Sequence, residues 1–476
     1  MASIISNIYS SSSSQKVVPT PMITLSQRFG SEIDSMLFSD ADIITALEYD
    51  LQGRYMATGD KGGRIVVFER IDSDSISVRC EREGEEAKDE STQSVVTTDD
   101  EIAGEWNPYC QFKSHDAEFD YLKSLEIEEK INQIKFLPQA GHNKFLLATN
   151  DKTIKLWKVG ERSVIDDNTD SVGNKTVNCY EDLVLPQVTR RKKILATPKR
   201  VYENGHAYHI NSVSPNSDRE TFLSADDLRI NWWHHDRTDT CFNVIDIKPP
   251  VMEDLTRVIT TAQFHPQHCH MLMYGLSTGC LKVVDSREAA LCDNSARNFE
   301  CSNNFMGQSF FSEIISSISD ANFSPDGRYI VTRDYMTMKI WDLHMEREPV
   351  QTMIVDERLG GLLSELYESD SIFDKFEARF SADGKKVVTG GYNNEFMIWD
   401  AVDGEMLTCI NLVQADKAFD DSRIIMDTFS RVPGAPLLGT EKKILHCAFH
   451  PCEDTVGIAG QAGLFLFRSH NGSVLY

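Results

Sequence analysis

The chain has 476 residues, and its 73 Asp and Glu outnumber its 48 Lys and Arg, which gives a formal net charge of −25. This acidic balance argues against nucleic-acid binding through a basic face. Hydrophobic residues make up 41% of the chain, enough for a large core, so the composition excludes a wholly disordered protein.

The N-terminal segment predicts neither secretion nor membrane insertion. Residues 1–22 are polar and are predicted to form a disordered tail. They lack a signal peptide, and no stretch approaches the roughly 18 apolar residues of a membrane helix. The 11 Cys form no C-x-x-C motif, which is typical of reduced thiols. We therefore expect a soluble protein of the cytoplasm, with the nucleus as a second compartment, and no membrane partner.

One pattern recurs seven times along the chain: an apolar run, a turn, a second run, a Gly, Asp or Asn turn, and a third run that ends in an aromatic residue. The copies are residues 44–70, 131–159, 209–236, 259–287, 318–344, 376–402 and 444–470. Each copy is too small to bury its own apolar face, so neighbouring copies must pack on one another. Trp341-Asp342 and Trp399-Asp400 are the dipeptide of WD repeats.

These repeats predict an all-β fold, a seven-bladed WD-repeat β-propeller that forms one domain from residue 23 to residue 476. Residues 23–29, ITLSQRF, are expected to supply the outer strand of the last blade and so close the ring. Residues 71–117 are predicted to be a partly disordered acidic insertion. The spacer after the second repeat carries the basic run Arg190, Arg191, Lys192 and Lys193, which is either a solvated loop or a docking arm.

No catalytic or metal site is predicted. Gly275–Gly279 matches G-x-S-x-G, but a strand follows it where a nucleophile elbow needs a helix, so Ser277 is expected in a turn. His265, His268, Cys269 and His270 crowd one turn, but Phe264-His265-Pro266 recurs as Phe449-His450-Pro451 at the equivalent place. We therefore expect a structural turn there and no cofactor.

Two further groups of residues have alternative interpretations. Asp226-Asp227 stands where other repeats carry a turn, so a turn role competes with a binding role. Phe310, Phe311 and Phe373 lie in spacers just before repeats. On periodicity alone, inward packing is favoured over exposed anchors for these three side chains.

Several long stretches resemble the B-class regulatory subunits of protein phosphatase type 2A: EFDYLKSLEIEEKINQIKFLP from Glu118, GHAYHINSVSPNSDRETFLSADDLRINWW from Gly205, and FFSEIISSISDANFSPDGRYIVTRDY from Phe310. The resemblance runs from about residue 43 to about residue 467. It implies a propeller without catalytic activity that joins a HEAT-repeat scaffold A subunit and a catalytic C subunit, and that selects phosphoprotein substrates with basic segments.

The resemblance also implies sites. A hairpin projecting from the second blade, here residues 160–205 with Arg190, Arg191, Lys192 and Lys193, would bind the scaffold. A substrate groove would cross an acidic face, at positions that match the family's motifs: Lys61, Tyr208, Asp227, Leu255, Phe310, Phe311, Glu368 and Phe373. The competing classes are a generic WD adaptor of a ubiquitin ligase or chromatin complex, and an enzymatic propeller with carboxylates or a metal in its channel.

Overall fold

The computed structural model describes residues 22–30, 38–71, 104–121, 124–138, 143–166, 189–292, 296–301, 310–420 and 440–470. These residues form seven antiparallel sheets of four strands each, and one additional two-stranded hairpin. The predicted seven-bladed β-propeller is therefore confirmed. Within each blade we call the strands A to D, from the centre of the ring outward.

The strands of the blades, in the order A to D, are as follows. Blade 1 contains β2 (Ile44–Tyr49), β3 (Tyr55–Asp60), β4 (Arg64–Ile71) and β5 (Glu105–Lys113). Blade 2 contains β8 (Gln133–Phe136), β9 (Lys144–Thr149), β10 (Ile154–Asp166) and β11 (Thr189–Tyr202). Blade 3 contains β12 (Ser212–Pro215), β13 (Thr221–Ala225), β14 (Arg229–His234) and β15 (Cys241–Asp246).

Blade 4 contains β16 (Ile259–Phe264), β17 (Met271–Leu276), β18 (Leu281–Asp285) and β19 (Arg297–Phe299). Blade 5 contains β20 (Asp320–Phe323), β21 (Tyr329–Arg333), β22 (Thr337–Asp342) and β23 (Gln351–Ile354). Blade 6 contains β24 (Ala378–Phe380), β25 (Lys386–Gly390), β26 (Glu395–Asp400) and β27 (Met406–Asn411). Blade 7 contains β28 (His446–Phe449), β29 (Thr455–Gly460), β30 (Gly463–His470) and β1 (Met22–Gly30).

The remaining elements lie in the connections between blades. The hairpin β6 (Glu118–Asp120) and β7 (Leu125–Ile127) precedes blade 2. Within the described residues, the α-helices are α1 (Ser312–Ser316), α2 (Leu363–Glu368) and α3 (Leu412–Asp420). Short 3₁₀ helices span Asp40–Asp42, Met252–Asp254, Glu357–Gly361 and Ser371–Phe373.

The apolar core lies between the blades. Seven clusters of buried side chains each join two adjacent blades, so that every blade packs on both of its neighbours. In the cluster between blades 4 and 5, Phe299 and Trp341 meet edge to face with ring centroids 5.9 Å apart. The repeats therefore stabilise one another by apolar burial, as their sequence pattern predicts.

The first strand of the chain completes the last blade. β1 pairs antiparallel with β30, with Leu25 opposite Phe467. Ile23 and Leu25 are buried in the cluster between blades 6 and 7. The pairing expected for residues 23–29 is thus observed, and it covers the outer edge of β30.

Blade 3 contains a buried chain of hydrogen bonds. The indole Nε1–H of Trp233 donates to Ser224 Oγ at 2.8 Å, and Ser224 Oγ lies 2.5 Å from His206 Nε2. The other ring nitrogen of His206, Nδ1, lies 2.9 Å from the Asp226 carboxylate. This chain fixes the turn between strands B and C, which also carries Asp227.

Two predicted insertions include regular blade strands. β5 lies within residues 71–117, and β10 and β11 extend into residues 160–205. Both insertions therefore supply an outer strand D, in addition to the parts that lie outside the described residues, 72–103 and 167–188. The predicted N-terminal tail also lies outside the described residues, apart from Met22.

Candidate functional site

Blade topology places all the predicted groove residues at one end of the ring. In an antiparallel blade, the turn from strand B to strand C lies at the same end as the connection from strand D to the next blade. We call this end the connection face. Lys61 and Asp227 lie in B-to-C turns, and the other six predicted residues lie in connections between blades: Tyr208, Leu255, Phe310, Phe311, Glu368 and Phe373.

Asp226 and Asp227 have different roles in one turn. The Asp226 carboxylate is buried and accepts hydrogen bonds from the backbone N–H groups of Leu228 (2.8 Å) and Arg229 (2.7 Å). Burial opposes its ionisation, but the bond from His206 and these two amides outweigh burial and lower the pKa of Asp226. Asp226 is thus the turn residue, and the Asp227 side chain makes none of these bonds.

Asp227 is half-buried at the wall of a central cavity of ≈ 860 Å³. The cavity opens between the connections into blades 4, 5 and 6. Leu255 and Phe373 line it as well, so the structure brings together three of the predicted residues. Burial raises the pKa of Asp227, and the Lys375 charge opposes this shift. Lys61 and Tyr208 lie on the same face but do not line the cavity.

An aromatic cluster lies beside the cavity. The Phe310 and Phe311 rings meet at 5.3 Å, and the Tyr367 ring lies 5.8 Å from Phe310, 5.9 Å from Phe311 and 6.1 Å from Phe373. Phe310 is 70% exposed and Phe373 is 56% exposed. The predicted inward packing is therefore wrong for these two residues, because loop residues do not follow strand periodicity. Only Phe311 packs partly against a buried cluster.

Tyr367 is a member of this cluster that the sequence pattern did not single out. It is 41% exposed on α2, next to the predicted residue Glu368. The signal available in the sequence was its position in the same stretch, Leu366-Tyr367-Glu368.

Exposed carboxylates surround the cavity and the aromatic cluster. The exposed acidic side chains of the connection face include Asp116, Glu118, Glu126, Glu128, Glu253, Asp254, Glu313, Glu357, Glu365, Glu368 and Asp370. Its exposed basic side chains include Lys61, Arg257, Lys375 and Lys442. The face is therefore mainly acidic, and it can attract basic segments of other proteins.

The rejected catalytic candidates have structural roles. Ser277 lies in the turn before β18 and exchanges hydrogen bonds with Val258: its N–H donates to the Val258 carbonyl at 2.9 Å, and its Oγ accepts from the Val258 N–H at 3.1 Å. His265 bonds through Nε2 to the carbonyl of Gly327 at 3.0 Å. Within the described ranges, no group of three or more His, Cys, Asp or Glu side chains could hold a metal ion.

The outer strands of blade 2 project beyond their sheet. β10 pairs with β9 only from Ile154 to Val159, but it pairs with β11 as far as Asp166 opposite Thr189. The projection lies on the connection from strand C to strand D of blade 2. It therefore leaves the ring at the end opposite the connection face. The basic run lies on β11. Lys193 is exposed, and the side chains of Arg190, Arg191 and Lys192 lie outside the described part of the chain.

Comparison with known proteins identifies relatives. Residues 299–342 match the family model "WD domain, G-beta repeat". The chain is 44% identical to the regulatory B subunit of protein phosphatase PP2A from Schizosaccharomyces pombe, over 93% of this chain and 96% of that protein. The chain belongs to the family of PP2A regulatory B subunits. It is also 42% identical to the gamma isoform of the 55 kDa regulatory B subunit from Rattus norvegicus, over 93% of this chain and 96% of that protein.

Membership of this family makes the chain a regulatory subunit of the phosphatase complex and not its enzyme. A Candida tropicalis relative of the same name as the Schizosaccharomyces pombe protein is 49% identical over 79% of this chain and 70% of that protein. The resemblance seen in the signature stretches is therefore confirmed, and the generic adaptor alternative is not retained. None of the helices in the described residues combines the length and the apolar character needed to cross a membrane.

Proposed function

We propose that this regulatory subunit recruits phosphorylated substrates to PP2A by binding their basic segments on the connection face. The observation that carries the proposal is the half-buried Asp227 carboxylate at the wall of a ≈ 860 Å³ cavity. Exposed aromatic rings and exposed carboxylates adjoin this cavity. Such a surface can take a Lys or Arg side chain at Asp227 and apolar side chains on the rings.

Electrostatics supports selection of basic partners. The acidic face and the net charge of −25 attract cationic segments, which raises the rate of encounter and disfavours acidic competitors. Exposed charges are screened by salt, so most of this attraction acts on the rate of encounter. The half-buried Asp227 is screened less, and it is the residue expected to contribute to affinity.

Tethering provides the regulatory effect. A substrate held on the connection face can present its phosphorylated residue to a catalytic subunit in the same complex. Its effective concentration there can reach about millimolar when the chain between the two sites spans the gap. The subunit would thereby set substrate selectivity without any chemistry of its own.

The proposed partners are the HEAT-repeat scaffold A subunit and the catalytic C subunit. We propose that the projecting part of β10 and β11 binds the scaffold, since the basic run is an unlike-charged element on an acidic body. Its position at the end opposite the connection face would leave the groove open for substrate. We propose the cytoplasm, with the nucleus as a second compartment, as the place of action.

Binding of a basic peptide tests the proposed groove. The full chain and its variants would be titrated with a fluorescent Lys- and Arg-rich peptide at two salt concentrations, beside their melting temperatures. We expect Asp227→Asn to weaken binding by about three- to tenfold and to leave stability unchanged. Asp227→Lys should weaken it by more than about tenfold, because it sets a cation against a cation.

A matched control separates the site from net charge. Asp403→Lys makes the same change of charge on an exposed residue at the opposite end of the ring. It should leave peptide affinity nearly unchanged. Equal losses in Asp227→Lys and Asp403→Lys, or no loss in either, would refute the groove.

A further inference from the structure

Lys375 is a cationic residue that has no role in the groove proposed above. It lies between two anchored residues of the connection into blade 6. The Asp374 carboxylate before it binds Lys443 Nζ at 2.6 Å and the Tyr392 hydroxyl at 2.9 Å, and Phe376 after it is buried. With both neighbours fixed, Lys375 is held at the wall of the central cavity.

Asp227 reaches the same cavity from blade 3. Its neighbours are also fixed, since the Asp226 carboxylate bonds to backbone amides and Leu228 is buried. The backbone carbonyl of Asp227 accepts a hydrogen bond from the Ile259 N–H at 2.8 Å. A carboxylate and an ammonium group therefore line one cavity from different blades.

The two charged groups have no bonded partner. Among the described residues, neither the Asp227 nor the Lys375 side chain makes a hydrogen bond or an ion pair, and they do not pair with each other. Desolvation raises the pKa of Asp227 and lowers that of Lys375, while each charge opposes the shift of the other. The Lys375 side chain remains exposed to solvent, so it is the half-buried Asp227 that loses hydration without gaining a bonded partner, which is unfavourable for its charged form.

A third unpaired polar group supports a ligand in this cavity. The Thr260 side chain is only 8% exposed, and its Oγ1 has no hydrogen-bond partner. Thr260 also lines the cavity. Buried hydroxyl groups normally have a partner, so an unpaired one at a cavity wall indicates a place for a polar ligand atom.

We propose that the cavity is a dipolar subsite that takes a basic side chain at Asp227 and an anionic side chain of the same segment at Lys375. A ligand with both charges would give each group an opposite charge, whereas a purely basic ligand would still meet the repulsion of Lys375. The Thr260 hydroxyl would form a hydrogen bond with either the basic or the anionic side chain of the ligand. This inference rests on the proposed function, and it adds that substrate segments carry an anion close to their basic residues.

Matched peptides test the subsite on the full chain. One peptide carries a Lys-Arg pair followed, at several spacings, by Glu, and the second has Gln in place of that Glu. A third has phosphoserine there, which distinguishes a carboxylate from a phosphoryl group as the anion. We expect Lys375→Met to weaken binding of the Glu peptide or of the phosphoserine peptide by about three- to tenfold. The affinity of the Lys375→Met variant for the Gln peptide should be unchanged or higher.

Arg257→Met is the matched control. It removes an exposed cation from the same face, between the cavity-lining residues Thr256 and Val258, but does not itself line the cavity. It should not distinguish the three peptides. Equal effects of Lys375→Met on all three peptides, in either direction, would overturn the dipolar subsite while leaving the groove intact. Unchanged binding of every peptide to Asp227→Asn would overturn the groove and this inference with it.

Discussion

The ring nitrogen Nε2 of His450 lies 2.8 Å from the carbonyl oxygen of Gly53, a residue 397 positions earlier in the chain. The Nδ1 atom of His450 accepts hydrogen bonds from the N–H groups of Cys452 and Glu453, so Nε2 carries the proton and donates to Gly53. This contact joins the A-to-B turn of blade 7 to that of blade 1, in addition to the pairing of β1 with β30 within blade 7.

The same contact recurs between blades 4 and 5. His265 Nε2 bonds to the Gly327 carbonyl at 3.0 Å, and its Nδ1 accepts from the N–H groups of Gln267 and His268. The repeated Phe-His-Pro motif is therefore a bridge between blades and not a metal site. Gly327 has φ +76°, and a Cβ there would lie 2.3 Å from His265 Cε1.

We predict that Gly327→Ala destabilises the protein more than Gly384→Ala does. Gly384 has a similar φ of +69°, but a Cβ there would come no closer than 3.8 Å to Pro325. In both variants the free energy of unfolding should fall by about 1–2 kcal/mol, because alanine is disfavoured in the left-handed backbone conformation. Only Gly327→Ala should lose a further 1–3 kcal/mol, about the usual range for overpacking, by collision with His265. Chemical denaturation measures both, and equal losses would contradict this account.

The second prediction separates the two aspartates of the blade 3 turn. Asp226→Asn should lower the free energy of unfolding by about 1–3 kcal/mol, because it weakens a buried bond to His206 and alters two bonds to backbone amides. Asp227→Asn should leave it unchanged or raise it, since it removes a half-buried charge without a partner. The melting temperatures of the two variants measure this difference. A lowered melting temperature of Asp227→Asn would show that Asp227 also stabilises the turn, and would contradict this prediction.

The third prediction concerns acid. Burial, aided by the Lys155 charge, lowers the pKa of His115 to about 3, and burial lowers that of His235 to about 4, from a usual value of 6.5. The unfolded chain therefore binds protons first as the pH falls below 6.5. Stability present above that pH is lost toward pH 4, by about 1.4 kcal/mol per pH unit for each histidine.

Melting temperature against pH measures this loss. His115→Leu should flatten the slope between about pH 6.5 and pH 5, because it removes a buried ring whose pKa is lowered mainly by that burial. His344→Leu is the control, since the side chain of His344 is 77% exposed. Carboxylates with lowered pKa, such as Glu377 at about 2, lose their contribution only below about 4.5. A slope identical in both variants would contradict the assignment.

The fourth prediction uses two neighbours on α2. Tyr367→Ala should weaken binding of a peptide with basic and apolar residues by about tenfold or less, with no change in melting temperature, because the ring is exposed beside Phe310 and Phe373. Leu366→Ala should instead lower stability by about 2–5 kcal/mol, since Leu366 is 2% exposed. Normal binding by Tyr367→Ala would remove the cluster from the groove.

The fifth prediction shortens the projection of blade 2. Replacing residues 162–193 by Asn-Gly joins Glu161 to Ile194, which are paired across β10 and β11, through a two-residue turn. The cut keeps Ile194, which packs against the core between blades 1 and 2. We expect unchanged melting and circular dichroism with loss of scaffold co-purification. Scaffold retention at wild-type stoichiometry would refute the docking role.

A finer variant tests the charge alone. Changing Arg190, Arg191, Lys192 and Lys193 to Ser keeps the length of the hairpin and removes its basic run. Scaffold binding should weaken and become less dependent on salt. Scaffold binding that keeps its full affinity and salt dependence in this variant would show that the hairpin acts through shape and not through charge.

The sequence by itself determined the blades. Strand alternation and turn residues are encoded within each short repeat, so seven copies were countable before any contact was known. The closing strand was predictable for the same reason, since residues 23–29 repeat the alternation of a blade strand. The groove positions came from long signature stretches of one family.

Only the tertiary structure decided how those positions act. The exposure of Phe310 and Phe373 could not be read from periodicity, because neither lies in a strand. Asp226 and Asp227 are adjacent in sequence, and their roles differ because only one meets His206 and two backbone amides. Lys375 and Asp227 line the same cavity because ring closure brings blades 3 and 6 around one centre, a convergence that no local pattern records.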